Sequence, residues 1–486
     1  MAVYLGIDAG TTKIKAALME EERIVALAER NAQTLSPFPC ACEMDMEALW
    51  RLLCDVTNEL REKAYDHWCR LSGVAICAQG DGMWPIDAQG KPVGNAILWN
   101  DTRAHKTGIE HDGEMSDFLV SRCSTALFAG AYPVILQWLK RERSSDYKRI
   151  AHVFHCKDWL NFRLTGVVAS DYSDQSTASI DIFTKDYVEE LFDRLDIPEM
   201  KAVLPPLYPS THVLGSVTER AHKETGLPGG VPVVTGCIDV AAVALGVGMR
   251  NAGDGCCILG TTLCCEMLLD AAQVDVLDTN GSALCSVLPG KYNRVMAANS
   301  GTASIDWVRS LLCPELGYAE IDQAISKVPA GSNGVLFHPY LYGERAPFRD
   351  PSACGGFYGL RADHTRMDLL RAAHEGMALS LRDCFENLPR SEGPLYLSGG
   401  GAQSDFTCQL VADTLNKTVL RPNRRELGIE GIVKTARMAL ENAIPEDACN
   451  ECTSFLPDAG THRLMDKLYS EFVGLRKQAP YWHARG

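Results

Sequence analysis

Apolar and polar positions alternate through Val3 to Met19, VYLGIDAGTTKIKAALM, and predict a tight β-hairpin. Val3, Tyr4, Leu5 and Ile7 are strand formers. Ala9-Gly10-Thr11-Thr12 reads as a turn in which Gly10 supplies a positive φ, and Ile14, Ala16 and Leu18 alternate with Lys13, Lys15 and Ala17 on the return strand. The same form recurs from Gly255 to Leu269, GCCILGTTLCCEMLL, around Gly260-Thr261-Thr262, and the turn glycines are 250 residues apart. Two such hairpins in one chain suggest two similar domains facing one ligand.

Between the hairpins the apolar period switches between that of strands and that of helices. Ile24 to Leu27 predicts a third strand. Met46, Leu49, Trp50, Leu53, Val56 and Leu60 share one face of a helix over 45–64, with Asp45 as its N-cap. Gly73-Val74-Ala75-Ile76-Cys77 is a short buried strand, so strand, helix and strand follow in α/β order. Helices are predicted over 133–142, 156–165 (closed by Gly166) and 187–195, while 167–186 is polar and turn-rich. Val231 to Gly236 is a strand leading into Cys237-Ile238-Asp239 and the small, apolar run Ala241 to Gly248. The second half predicts helices over 303–312, 366–388, 405–416, 428–443 and near 464–477, and a buried loop over Phe337 to Pro347. A strand at Leu395-Tyr396-Leu397 opens into Ser398-Gly399-Gly400-Gly401-Ala402-Gln403-Ser404-Asp405.

The chain's 486 residues exceed what one core accommodates, so two domains are expected, 1–248 and 249–486. Lys plus Arg is 47 against 62 for Asp plus Glu, a net charge of −15 that argues against a nucleic-acid partner. The N-terminus runs straight into a strand without a charged-then-apolar leader, and no run approaches the roughly 20 apolar residues that cross a bilayer. The expectation is a cytoplasmic protein with no membrane partner. The 19 cysteines, with adjacent pairs at Cys256-Cys257 and Cys264-Cys265, read as reduced core thiols rather than a disulfide framework. One CxxC, Cys449 to Cys452, without a second is poor evidence for zinc.

Candidate chemistry clusters in the turns. Asp8 ends a strand, and the Gly-Thr-Thr turn offers closely spaced backbone N–H groups, two hydroxyls and two following lysines. That inventory suits a polyphosphate, with a carboxylate for the accompanying Mg²⁺, although the same residues also make an ordinary hairpin. Gln79 and Asp81, in Gln79-Gly80-Asp81-Gly82-Met83-Trp84, follow a strand end, where ligands are held in α/β sheets. Trp99-Asn100-Asp101-Thr102-Arg103 could grip adjacent hydroxyls and stack on C–H faces, or form only an Asp101–Arg103 surface pair. Asp239, at a strand-to-helix switch, suits a general base or an N-cap. The Gly-rich turn at 398–405 leaves bare backbone for a flat base or a phosphate. Neither a GxxxxGK[ST] loop nor GxGxxG after a strand is present.

Taken in order, these pieces resemble the FGGY family of carbohydrate kinases, part of the superfamily that includes actin and the heat-shock chaperones. The strongest stretch is Gly355-Gly356-Phe357-Tyr358-Gly359-Leu360, then Asp368-Leu369 and Ala372-Ala373-His374-Glu375, similar to the family's C-terminal signature. His374 stands where an apolar residue is usual and is expected to be a hydrogen-bonded core residue. The resemblance implies two α/β, ribonuclease-H-like domains flanking a nucleotide cleft. It implies Asp8 for Mg²⁺ and the phosphates, and Thr11, Thr12, Lys13 and Lys15 for the first phosphate loop. Gly260, Thr261 and Thr262 match the second phosphate loop, and Gly400, Gly401, Ala402 and Asp405 the adenosine loop. Asp239 matches the base, followed here by Val240 where a polar residue is usual. Gln79, Gly80, Asp81, Trp99, Asp101, Arg103 and Asp239 are the expected substrate contacts. The Gly80-Asp81-Gly82-Met83-Trp84 and Trp-Asn-Asp segments look most like erythritol-type polyol kinases and L-xylulose kinases.

The implied reaction moves the ATP γ-phosphoryl group to a terminal hydroxyl of a small sugar or polyol, a linear ketose or alditol. Many relatives are dimers, so a homodimer is part of the same expectation. A non-catalytic sugar sensor and a protein-directed ATPase are the competing readings. The Gly-rich loops with Asp8 and Asp239 weigh against the first, and the Trp-Asn-Asp-Thr-Arg loop against the second.

Overall fold

The computed structural model describes residues 1–107, 113–125, 127–275, 281–350, 352–442 and 451–478. The chain forms two compact units. The first takes Met1–Gly248, Asp270–Asn293 and Glu426–Ala448; the second takes Met249–Leu269, Arg294–Arg425 and Cys449–Gly486.

In the first unit β1 (Val3–Ala9) and β2 (Lys13–Glu20) form the expected hairpin, and β3 (Arg23–Asn31) pairs antiparallel with β2. The α1 helix (Met46–Lys63) starts on Asp45, whose Oδ1 accepts from the Ala48 N–H at 2.9 Å. Its six apolar positions from Met46 to Leu60 are all buried. β4 (Leu71–Ala78) lies parallel to β1. The α2 helix (Cys156–Thr165) closes on Gly166, which takes the left-handed φ of 75° that a residue with a Cβ resists. β5 (Val213–Ser216), β6 (Pro232–Ile238) and α3 (Asp239–Val247) complete the set, and the sheet order is β5-β6-β4-β1-β2-β3. Its centre is parallel and its edges antiparallel.

Strand alternation divides the work of β1 between two faces. Val3, Leu5 and Ile7 join the core that contains the apolar face of α1. Gly6 points the other way, where a Cβ would lie 2.8 Å from Val433 and 3.0 Å from Ile429. Those residues belong to the Leu427–Glu441 helix, which follows the second unit in sequence and returns to the first. It meets α3 almost backbone to backbone. A Cβ on Gly246 would lie 2.0 Å from the Leu427 carbonyl oxygen, and one on Gly431 would lie 1.8 Å from that of Ala242. The small residues after Asp239 are therefore a packing requirement.

The polar stretch 167–186 is turn-rich, as expected, with a two-residue strand at Ser170–Asp171 and a helical turn at Tyr172–Gln175, but much of it is interior. Ser170, Asp171, Ser173, Asp174, Gln175, Ser176 and Ser179 are all buried.

In the second unit β7 (Gly255–Leu259) and β8 (Leu263–Asp270) form the second hairpin. The α4 helix (Thr302–Leu312) and α5 (Arg366–Glu386) precede β9 (Leu395–Ser398), which lies parallel to β7 just as β4 lies parallel to β1. Then come α6 (Asp405–Leu415), β10 (Val419–Pro422), β11 (Cys452–Phe455) and α7 (Ala459–Gln478). Sequence predicts one inner face for α5, yet the helix is buried nearly all round, with Arg371 and Glu375 paired at 2.8 Å inside it. His374 is buried, with Nδ1 2.8 Å from the Leu370 carbonyl, and burial pulls its pKa down. The Phe337 to Pro347 loop is mixed: Leu336–His338 is a strand paired with Gly356–Tyr358, and Tyr342 is exposed.

Neither turn glycine takes the positive φ that the sequence suggests. A Cβ on Gly10 or Gly260 would meet only a carbonyl oxygen, at 3.4 and 3.7 Å. Among the described residues no helix is long and apolar enough to cross a membrane. Their cysteines are free except Cys452, which is disulfide-bonded; position 449 lies outside the described residues.

The contact between α3 and the Leu427–Glu441 helix can be tested by overpacking. Gly431→Val should lower stability by about 3 kcal/mol in urea unfolding, because a main-chain carbonyl cannot swing aside. Gly229→Ala, with nothing within 4 Å of the new methyl, should stay within about 0.5 kcal/mol of wild type.

Candidate active site

Three parallel strands of the first unit end side by side. Asp8 pairs in register with Cys77, and Cys77 with Cys237, so the ends of β1, β4 and β6 lie in one row. Asp8 is at the end of the first, Gln79 to Asp81 follow the second, and Asp239 begins α3 directly after the third. Carboxyl ends of parallel strands are where α/β sheets hold their ligands.

The row concentrates negative charge. Asp239 keeps part of its side chain accessible but sits deep, and its pKa is pushed up to about 7. Burial is the main cause; the neighbouring charges of Asp8 and Asp81 add to it, and the Val240 N–H, 2.7 Å from Oδ1, works against it. Asp8 is pushed up to about 6, again chiefly by burial, with Lys15 pulling down and Glu426 pushing up. A carboxyl poised near neutrality can accept a proton from an alcohol. Asp8 is a hard oxygen donor among acidic neighbours, a set that suits Mg²⁺ and would be relieved by it.

The first turn is tied to the loops beside it. The Thr11 hydroxyl donates to Gln79 Oε1 at 2.8 Å and accepts from the Trp99 indole N–H at 3.1 Å. Gln79 Nε2 is buried, with no hydrogen-bond partner among the described residues. Asp81 adopts a left-handed φ of 55°, a strain that clusters at functional sites. Gly80 packs against the Ile238 side chain, whose Cδ1 would be 2.1 Å from a Cβ and would have to move aside for one. Lys15 lies opposite Asp8 in the hairpin and its ammonium is 2.7 Å from Glu426. Thr12 is exposed, and Lys13 forms an exposed pair with Glu29.

Asp101 and Arg103 are not a surface pair, and Asp101 is not open to a ligand. Their side chains are almost fully buried, and Arg103 Nη2 is 2.7 Å from both Asp101 and Glu43. Both oxygens of Asp101 are occupied, by Arg103 and by the N–H groups of Arg103 and Cys42. The direct grip on hydroxyls expected of Asp101 therefore gives way to bracing the loop that carries Trp99.

In the second unit, α4 starts on the second turn. The Thr302 N–H donates to the Gly260 carbonyl at 2.9 Å, and a Cβ on Gly301 would lie 2.5 Å from the Thr261 carbonyl oxygen. Gly301 is thus the residue that lets α4 approach Gly260, Thr261 and Thr262. At the other Gly-rich turn, Gly399 has φ 90° and Gly401 would clash with Leu259 if it carried a Cβ, whereas Gly400 faces open space. Ala402 is buried and its carbonyl accepts from Arg421, which also pairs with the exposed Asp405 at 2.8 Å.

Sequence reasoning passed over Glu43, Glu426 and a buried set around Lys157. The Lys157 ammonium lies 2.6 to 2.8 Å from Asp158, Asp171 and Asp174. A lysine in the first turn of a helix, with three acids over the next 17 residues, was the available signal.

Models of the FGGY family of carbohydrate kinases match this chain, the N-terminal domain over residues 3–246 and the C-terminal domain over 255–440. The chain belongs to that family and is a carbohydrate kinase, a phosphotransferase acting on an alcohol. It is 29% identical to an L-xylulose/3-keto-L-gulonate kinase of Escherichia coli, over 99% of this chain and 98% of that one. It is 27% identical to an erythritol kinase of Brucella abortus, over 99% and 97%. A crystal structure of a xylulose kinase from Rhodospirillum rubrum superimposes with TM-score 0.89 at 27% identity, covering 98% and 99% of the two chains.

Because the folded protein holds the Asp239 proton up to about pH 7, while an unperturbed aspartate releases it near 3.8, raising the pH between those values removes stability. Asp239→Asn abolishes that penalty. The ligand-free variant should melt several degrees above wild type at pH 8, and the gap should close towards pH 4. Equal melting temperatures at pH 8 would show that Asp239 ionises without cost.

Proposed function

We propose that this kinase transfers the ATP γ-phosphoryl group to a terminal hydroxyl of a linear ketose or alditol such as L-xylulose or erythritol, with Asp239 as general base. The observation that carries the reading is the near-neutral carboxyl of Asp239 at the strand end beside those of Asp8 and Asp81. The substrate oxygen attacks the γ-phosphorus, the bond to ADP breaks, and the hydroxyl proton passes to Asp239. Gln79, through its unpartnered Nε2, and Asp81 orient hydroxyls while Trp99 covers a C–H face. Gly80 keeps this loop close to β6, and Asp101 with Arg103 braces the Trp99 loop.

Asp8 would hold Mg²⁺, which when bound screens the charge of the transferring group. Lys15, with Thr11, Thr12 and Lys13 around the first turn, serves the phosphates, and Lys15 would exchange Glu426 for a phosphate oxygen. From the family resemblance come Gly260, Thr261 and Thr262 for the phosphates, Gly400, Gly401, Ala402 and Asp405 for adenosine, a homodimeric assembly and a cytoplasmic location.

A coupled ADP-release assay over a panel of ketoses and alditols tests the substrate class. Turnover should depend on one linear C4 to C6 acceptor; ATP hydrolysis indifferent to the panel would point to a protein-directed ATPase, and no turnover to a sensor. Asp239→Asn should still bind ATP and acceptor in calorimetry but lose turnover by roughly three orders of magnitude. A rate like wild type in that variant would remove Asp239 from the role.

A further inference from the structure

The edge strand of the first unit ends too soon. β5 pairs with β6 no further than Val234, and beyond that point β6 finds other acceptors. Thr235 N–H donates to the His212 carbonyl at 2.9 Å and Gly236 N–H to that of Ser210 at 3.0 Å. The last N–H, that of Ile238, has a side chain instead: the Ser173 hydroxyl, at 3.0 Å. Ile238 is also the cap residue of α3, and no side chain of its own caps that helix. On the side away from β4, this hydroxyl thus holds the Cys237–Ile238 peptide, one residue before Asp239.

Ser173 is itself held rigidly. Its hydroxyl donates to Asp171 Oδ2 at 2.6 Å, an oxygen that also accepts from the Ser173 N–H at 2.9 Å and the Ser210 hydroxyl at 2.7 Å. Asp171 Oδ1 lies 2.8 Å from the Lys157 ammonium, which is gripped on its other sides by Asp158 and Asp174. Every side chain in this set is buried. Removing one member of such an interior cluster leaves a buried charge without its partner, so Lys157 and Asp171 hold each other firmly in place.

We propose that Ser173 is a positioning residue for phosphoryl transfer: its hydroxyl, oriented by Asp171 and Lys157, sets the backbone that aims the Asp239 carboxylate at the acceptor hydroxyl. The proposal rests on Asp239 being the base. Misplacing a reacting group by about 1 Å costs on the order of 100-fold, without weakening the grip on either substrate.

Steady-state kinetics of three variants test it. Ser173→Ala should lower kcat by about 10- to 100-fold while leaving KM for ATP and acceptor within about twofold, and Ser173→Thr, which keeps the hydroxyl, should recover most of the loss. Amide exchange at Ile238 should quicken in Ser173→Ala with the rest of β6 unchanged. If the alanine variant is unfolded at the assay temperature, Ser173→Cys, of similar volume but a weak acceptor, replaces it with the same expectation. Wild-type kcat in Ser173→Ala, or KM values that rise as far as kcat falls, would overturn the proposal. Asp239→Asn is run alongside: if it is inert while Ser173→Ala is fully active, only the positioning role fails, and if it turns over like wild type, the base assignment fails with it.

Discussion

Asp8 and Asp239 stand at the ends of β1 and β6, on either side of the end of β4; burial makes both harder to ionise, and the charge of Asp8 adds to the effect on Asp239. Much of the first unit can be understood as the means of holding that repulsion. The parallel register of β1, β4 and β6 brings the two acids together, and main-chain ladders do not yield to a few kcal/mol of side-chain repulsion. Lys15 opposes the charge across the hairpin, and the start of α3 offers its peptide N–H groups to Asp239. A site that is uncomfortable when empty is one that a cation and a phosphate can settle.

The same region shows how an interior is made thin enough for such a site. Gly6, Gly246 and Gly431 remove side chains where a strand and two helices would otherwise be held apart by a methylene layer. The Leu427–Glu441 helix can then lie close behind β1, where a Cβ on Gly428 would be only 3.0 Å from Asp8 Oδ2. Packing and chemistry are one problem here: the helix that brings Glu426 towards Lys15 is the helix whose glycines permit the approach.

Most of the architecture was legible in the sequence because its signals are local. The hairpins, the α1 face and Asp45, the Gly166 stop and the strand entering Asp239 each rest on periodicity or a cap within a few residues. The row of Asp8, Gln79, Asp81 and Asp239 was legible too, since each follows a strand. What escaped was whatever depends on burial of polar residues. Asp171 to Ser179 has the composition of a solvated turn, and its partners Lys157, Ser210 and Ile238, outside that stretch, turn it into interior. Asp101 and Arg103 misled for the same reason: Glu43, which completes their cluster, is remote in sequence. The turn glycines misled in the other direction, because bare backbone and a positive φ are separate reasons for glycine and only the first applies.

The Leu427–Glu441 helix returns to the first unit only after Met249–Leu269 and Arg294–Arg425 of the second have been laid down. A nascent chain that has emerged only as far as Gly248 carries β1, β4, β6 and α3 with the face awaiting Ile429 and Val433 still wet. The first unit therefore cannot complete its fold in the order in which the ribosome delivers it. Its last structural member arrives late, which makes premature termination anywhere before that helix a loss to the first unit as well as to the second.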